Sequence, residues 1–160
     1  MRWHLIFTLA ILSVTLLGCF SKPISNSSTG SLEQPLVVEI WASSNCVHPG
    51  DNIKLRATVT NKGNGAQVID LMDRPVLDII IRNQGPIARW SDGKPLTPDL
   101  TRLDLKAGES KAIELEWTVR IPSPGTVFYV DANFVYSTRV PPLTPGVTIS
   151  VSICPGPLGP

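Results

Sequence analysis

The sequence predicts an all-β fold, and three observations carry that prediction. Apolar residues recur at every second position over most of the chain, the pattern of strands with one buried face. Turn signals built from Gly, Pro, Asn and Asp recur about every ten residues. Fifteen prolines and twelve glycines punctuate the chain, and no stretch beyond residue 20 shows a helical period. About eight or nine short strands separated by such turns fit an antiparallel β-sandwich of immunoglobulin-like architecture.

The first strand is expected at 36–42, LVVEIWA, with high apolar content. Alternation is cleanest at 52–60, NIKLRATVT, where Ile53, Leu55, Ala57 and Val59 oppose Lys54, Arg56, Thr58 and Thr60. Shorter strands are expected at 66–71, 76–82, 87–90 and 96–105. At 111–120 the pattern returns, with Ile113, Leu115, Trp117 and Val119 on one face. An apolar strand follows at 126–137, and 147–153 ends the series with Val147, Ile149, Val151 and Ile153. The separators are HPGD, NKGNG, NQGP, SDGKP, KAGES, IPSPG and PPLTPG.

If successive strands alternate in direction, the first and last run the same way and are expected to pair in parallel. Cys46 and Cys154 then follow strands that end at the same pole. They form a candidate disulfide, two unpaired thiols being the alternative. The same alternation gathers residues 43–51, 72–75, 91–95 and 121–125 at that pole.

Composition narrows the function. The 160 residues carry a formal net charge of +1, and no basic patch argues for nucleic acid. His48 is the one histidine beyond residue 4, and it sits in a turn, VHPGD. No second histidine offers a metal pair, and no CxxC or HExxH spacing occurs. Asp70, Asp73 and Asp78 are close in sequence, but strand alternation scatters them and no calcium-loop pattern appears. No glycine-rich phosphate loop is present. The chain therefore reads as non-enzymatic, with no cofactor and no metal. Trp41, Trp90 and Trp117 read as core indoles, with Trp90 the exception to expect because it abuts the turn SDGKP.

The N-terminus reads as a targeting segment. Arg2 precedes an uncharged run at 5–17, LIFTLAILSVTLL, which matches the apolar region of a secretory signal. That run is short of the about 20 residues a spanning helix needs. LLGC at 16–19 resembles the lipobox of bacterial lipoproteins. The resemblance implies cleavage before Cys19 and acylation, with palmitate-type chains, of its thiol and new amine. Several chains hold a protein on a bilayer where one alone binds marginally. The expected organisation is a signal peptide at 1–18, a lipidated Cys19 with a flexible Ser-rich tether at 19–35, the sandwich at 36–155, and a Pro/Gly tail at 156–160. The expected location is a cell membrane or outer membrane, with the domain facing the periplasm or exterior. The expected partners are the membrane, through the anchor, and an envelope or extracellular protein.

A second resemblance covers residues 52–137, about three-fifths of the chain beyond the predicted signal peptide. VLDIIIRNQGPIARWSDGKPLTPDLTRLDLKAGESKAIELEW at 76–117 is similar to the BsuPI domain, a family named for a bacterial intracellular proteinase inhibitor. The matching residues are Gly85, Arg89-Trp90-Ser91, Gly93, Leu105, Gly108-Glu109 and Trp117. Ile87-Ala88, Leu96 and Ala107 depart from the pattern at packing positions. The family implies an immunoglobulin-like sandwich and carries over no reactive-site residue.

Arg89, Trp90, Asp92 and Lys94 stand out as a candidate binding surface, an aromatic beside charges of both signs. The competing reading packs Trp90 inward and leaves the charges to solvate a turn. The function expected first is a non-catalytic binding or scaffolding module on a membrane anchor. The alternatives are a BsuPI-like proteinase inhibitor acting outside the cytoplasm and an envelope enzyme without a recognisable motif.

Overall fold

The computed structural model describes residues 23–29, 35–120, 125–135 and 146–155. Its elements in chain order are β1 (Ile24–Thr29), β2 (Leu36–Ala42), β3 (Cys46–Val47), β4 (Asn52–Asn61), β5 (Gln67–Asp70), β6 (Leu77–Asn83), β7 (Gly85–Arg89), α1 (Pro98–Thr101), β8 (Arg102–Leu105), β9 (Ser110–Thr118), β10 (Val127–Phe134) and β11 (Val147–Ile153). One sheet has the order β1-β2-β4-β9 and the other β3-β11-β10-β6-β7, while β5 and β8 form a separate pair. All pairings are antiparallel except β3 with β11.

The alternating positions build the core. From the first sheet Val38, Ile40, Ile53, Leu55, Ala57 and Val59 are buried; from the second come Ile79, Ile81, Phe128, Val130, Phe134 and Val151. Each buried aliphatic or aromatic side chain contributes about 1.5–3 kcal/mol of transfer free energy. Trp117 meets Phe128 edge-on across the core, with ring centroids 5.4 Å apart and planes at 67°. This is the all-β sandwich that alternation predicts.

Four expectations about its wiring are corrected. Residues 24–29, read as tether, form a strand that pairs with β2 over six positions. The serines there carry no apolar signal because only one side of an edge strand faces the core. Ile24 packs against the core, and the Asn26 side-chain amide donates to the Thr148 carbonyl, 3.1 Å away in the other sheet. The expected strand at 96–105 is a short helix, Pro98–Thr101, followed by only four strand residues. Pro98 at the helix start loses no hydrogen bond there, since the first N–H groups of a helix lack intrahelical partners.

The third correction concerns the parallel pair. The chain breaks after Ala42 and changes sheets, so β3 and not β2 lies beside β11. The fourth concerns direction. β5 has only four residues, roughly 13 Å of chain, and β6 starts beside Phe134 at the end of β10. Strands β6 and β7 therefore run opposite to the expected parity.

Candidate functional site

Arg89 ends β7, and the chain turns tightly through Trp90–Pro95. Its backbone is closed by Asp92 N–H to the Arg89 carbonyl (3.2 Å) and Lys94 N–H to the Ser91 carbonyl (3.0 Å). The Asp92 carboxylate also accepts the Arg89 N–H at 2.8 Å, a side chain standing in for a backbone turn. Gly93 has φ +73°, which a residue with a Cβ adopts at a cost.

Below the turn lies Asp78, a carboxylate only 3% exposed. It accepts the N–H of Ile79 at 2.9 Å, the N–H of Ser91 at 3.1 Å and the hydroxyl of Ser91 at 2.7 Å. Burial raises its carboxyl above the ordinary aspartate value; the Ser91 and Ile79 bonds and the charge of Arg89 oppose that rise. Trp90 donates its backbone N–H to the Ile79 carbonyl at 2.9 Å, and its indole packs partly buried against the core. The Lys94 ammonium sits 3.3 Å from the indole centroid, a cation on a π face. Burial lowers the Lys94 pKa, and the Asp78 carboxylate pulls it the other way.

The structure thus joins Arg89, Trp90, Asp92 and Lys94 in one locked turn. It adds Asp78 and Ser91, which the sequence reading did not select. The available signal was Asp78 itself, a carboxylate in the otherwise apolar run VLDIII. The turn leaves Lys94 and Pro95 exposed, and Leu96 is 54% exposed.

The turn does not lie at the pole expected for it. Asp78 stands at the start of β6, beside the end of β10. Cys46 and Cys154 lie at the opposite end, where β10 begins against the last residues of β11. The two cysteines are joined by a disulfide with Cα atoms 5.5 Å apart. His48 shares their end in an exposed turn, its backbone N–H donating to Asp51 at 2.8 Å. Asp70, Asp73 and Asp78 do not converge: Asp70 faces Arg102, and Asp73 faces Arg74. Among the described residues no three His, Cys, Asp or Glu side chains are grouped as a metal ion would need.

Of Trp41, Trp90 and Trp117, the last two pack on the core. Trp41 is the exposed one, at 37%. Its neighbours Ile40 and Ala42 are buried, so alternation turns Trp41 outward. Cys19 and the segments 1–18 and 156–160 lie outside the described residues.

A family model described as BsuPI, intracellular proteinase inhibitor, matches residues 41–138. The match starts upstream of the resemblance read from the motifs and ends with it. A search of curated proteins returned none that matches. Among solved structures, the chain is similar to Spo0M, a sporulation control protein from Bacillus subtilis, at TM-score 0.54 and 11% identity, over 77% of this chain and 51% of that one. The chain thus spans about half of Spo0M, and likeness at this identity shows the fold alone. A weaker likeness, TM-score 0.47 at 11% identity, is to a cycloisomaltooligosaccharide glucanotransferase from Paenibacillus sp., over 72% of this chain and 13% of that one.

The family match corrects the expected location. The family is described as intracellular, and that description conflicts with a domain anchored by lipid to a cell membrane or outer membrane and facing outward. A family described as intracellular and a domain held by lipid on the outer side of a membrane occupy different compartments. The match also favours the proteinase inhibitor alternative over the anchored scaffolding module, which has no observation behind it.

Proposed function

From the premise that the chain belongs to the BsuPI family of intracellular proteinase inhibitors, we propose that it inhibits a proteinase by binding, with the turn at 89–96 as its contact. The family match over 41–138 is the observation that carries this reading. The geometry of the turn supports it. An inhibitor gains affinity when its contact loop is ordered before binding, because less conformational entropy is lost on docking. Here the order comes from the Asp92 and Lys94 backbone bonds, the Asp78 anchor and the Lys94–Trp90 stack.

The same order predicts resistance to cleavage. A scissile segment has to extend through a proteinase cleft, and this turn would have to break its internal bonds to do so. Lys94 offers a charge and Leu96 an apolar side chain at the rim, both accessible without unfolding.

The test is steady-state inhibition by the full chain across serine, cysteine and metallo-proteinases, repeated with Lys94→Ala and Leu96→Ala. Inhibition of at least one class, weakened about tenfold or more by either substitution at unchanged melting temperature, is the expected result. Inhibition that is indifferent to both substitutions would remove the turn from the interface. Absence of inhibition in every class would remove the function.

A further inference from the structure

A second surface lies away from the inhibitory turn, on the outer face of the sheet β1-β2-β4-β9. It is concave, with a volume of about 880 Å³. That is within the roughly 300–1,000 Å³ range of small-ligand sites. Its floor is one residue deep and is read directly from the register.

Trp41 stands in a row running across all four strands, between Ser25 of β1 and Arg56 of β4, with Glu114 of β9 beyond. Arg56 lies 3.7 Å from Glu114, and both side chains are more than half exposed. In the next rows Glu39 of β2 faces Thr58, and Lys54 of β4 faces Glu116 of β9. Among the described residues no ion pair holds Glu39, Lys54 or Glu116. The central strand is therefore basic and the strands on either side of it carry carboxylates, with an exposed indole among them.

This pattern selects a ligand. Strands lie about 4.8 Å apart, so Arg56 and Lys54 each have a carboxylate of β9 one strand away, and Glu39 of β2 stands in the row beside Arg56. An anion placed along it meets carboxylates on both flanks. A cationic peptide meets Arg56 and Lys54 at the centre. A hydroxyl donates and accepts together, and so satisfies both kinds of row. Ionised partners make such hydrogen bonds about twice as strong as neutral ones. An exposed indole offers a flat apolar platform with a negative π face. The matching ligand surface is the face of a sugar ring whose hydroxyls are all equatorial, since only C–H groups project from it.

We propose that this concavity binds a neutral oligosaccharide of equatorially hydroxylated sugars, stacked on Trp41 and hydrogen-bonded by Glu39, Arg56 and Glu114. The site is separate from the turn at 89–96 and does not rest on the inhibitor reading.

The experiment uses the full chain and soluble hexasaccharides of β-linked glucose and of β-linked N-acetylglucosamine. Calorimetry and tryptophan fluorescence are read against oligogalacturonate and oligolysine of similar length. At least one neutral hexasaccharide is expected to bind at millimolar concentration or below, with neither charged oligomer matching it. Trp41→Ala should weaken that binding by about tenfold or more, and Trp41→Phe should retain part of it, both at unchanged melting temperature. Trp41→Ala should leave proteinase inhibition as it was, so the two readings fail separately. The proposal is overturned if neither hexasaccharide binds, if oligolysine or oligogalacturonate binds better, if Trp41→Ala leaves the affinity unchanged, or if the face proves to be covered by a second copy in light scattering.

Discussion

The two ends of the sandwich are closed by different chemistry. At one end a covalent bond joins Cys46 to Cys154 and staples a parallel pair only two residues long. At the other, two buried polar side chains do the work. Asn61, fully buried, donates its side-chain amide to the carbonyls of Gly65, Leu105 and Lys106 at 2.8–3.1 Å and accepts the Gly63 N–H at 2.9 Å. Asp78 holds the turn at Ser91 in the same way. The covalent end tolerates changes in its surroundings because the bond itself supplies the constraint. The polar end depends on particular atoms: a buried donor or acceptor without a partner costs about 1–3 kcal/mol. It is also the end that displays the proposed inhibitory turn, so the part with the tightest atomic requirements positions the contact.

The comparison is broken most severely at the staple. Replacing Cys46 and Cys154 together by serine releases a loop of sequence separation 108. The expected loss is about 2–4 kcal/mol, with a chain-entropy ceiling near ~4.7 kcal/mol. Denaturant unfolding of the oxidised, reduced and substituted chains measures it, and the last two should agree.

Asn61→Ala tests the opposite end. It removes the side-chain partner of three carbonyls and one N–H, and leaves the Leu105 carbonyl unpaired at a buried position. A loss of about 2–3 kcal/mol is expected, close to that of the staple. A loss below about 0.5 kcal/mol, the range of ordinary surface substitutions, would mean that water satisfies these groups and that the end is not closed as described.

Asp78 sharpens the difference through pH. Burial raises its pKa in the folded state, so the folded chain holds this proton more tightly than the unfolded one. Its contribution to stability is then fully present below the unfolded value and is lost as pH rises through the raised folded value. Asp78→Asn removes the titration and keeps an oxygen for the two N–H donors. The stability of the wild type relative to Asp78→Asn should therefore fall as pH rises from acidic toward neutral. The gap between oxidised and reduced chains should show no such dependence on Asp78. Asp78→Ala, which orphans the donors, should cost about 1–3 kcal/mol across the range.

The smallest effect on stability is expected at Lys94. Its cation–π contact is exposed, and such contacts contribute about 0.5–1 kcal/mol. Lys94→Ala should leave the melting temperature unchanged within a few degrees while weakening inhibition, which separates display of the turn from closure of the end beneath it.

The contrast between the ends also marks what was legible in the sequence. Cys46 and Cys154 were legible as a pair because both follow strands that end at one pole. Strands β4, β9 and β11 were visible because one face of each is apolar at every second position. The polar end was hidden. Asn61 stands at the start of NKGNG and reads as a turn residue, and only the folded chain brings the loop carbonyls around it. β1 was missed because its inward face holds Ile24 and Asn26, too little apolar content to rise above a serine-rich background. The position of the turn at 90–95 was missed because strand parity assumes that every strand crosses the sandwich, and β5 does not. The indole exposed at position 41 could have been found from alternation alone. The candidate residues Arg89, Trp90, Asp92 and Lys94 were legible as a turn, and Asp78 was legible as a lone carboxylate in an apolar run but not as the anchor of that turn.

The most direct measurement of the inhibitor reading is a titration of a sensitive proteinase with the full chain, followed by recovery of the chain. Residual proteinase activity should fall linearly and reach its floor near one chain per proteinase, and the chain should be recovered with the 89–96 turn intact. Undiminished activity at molar excess, or a chain cleaved within that turn while the proteinase continues to work, would contradict it.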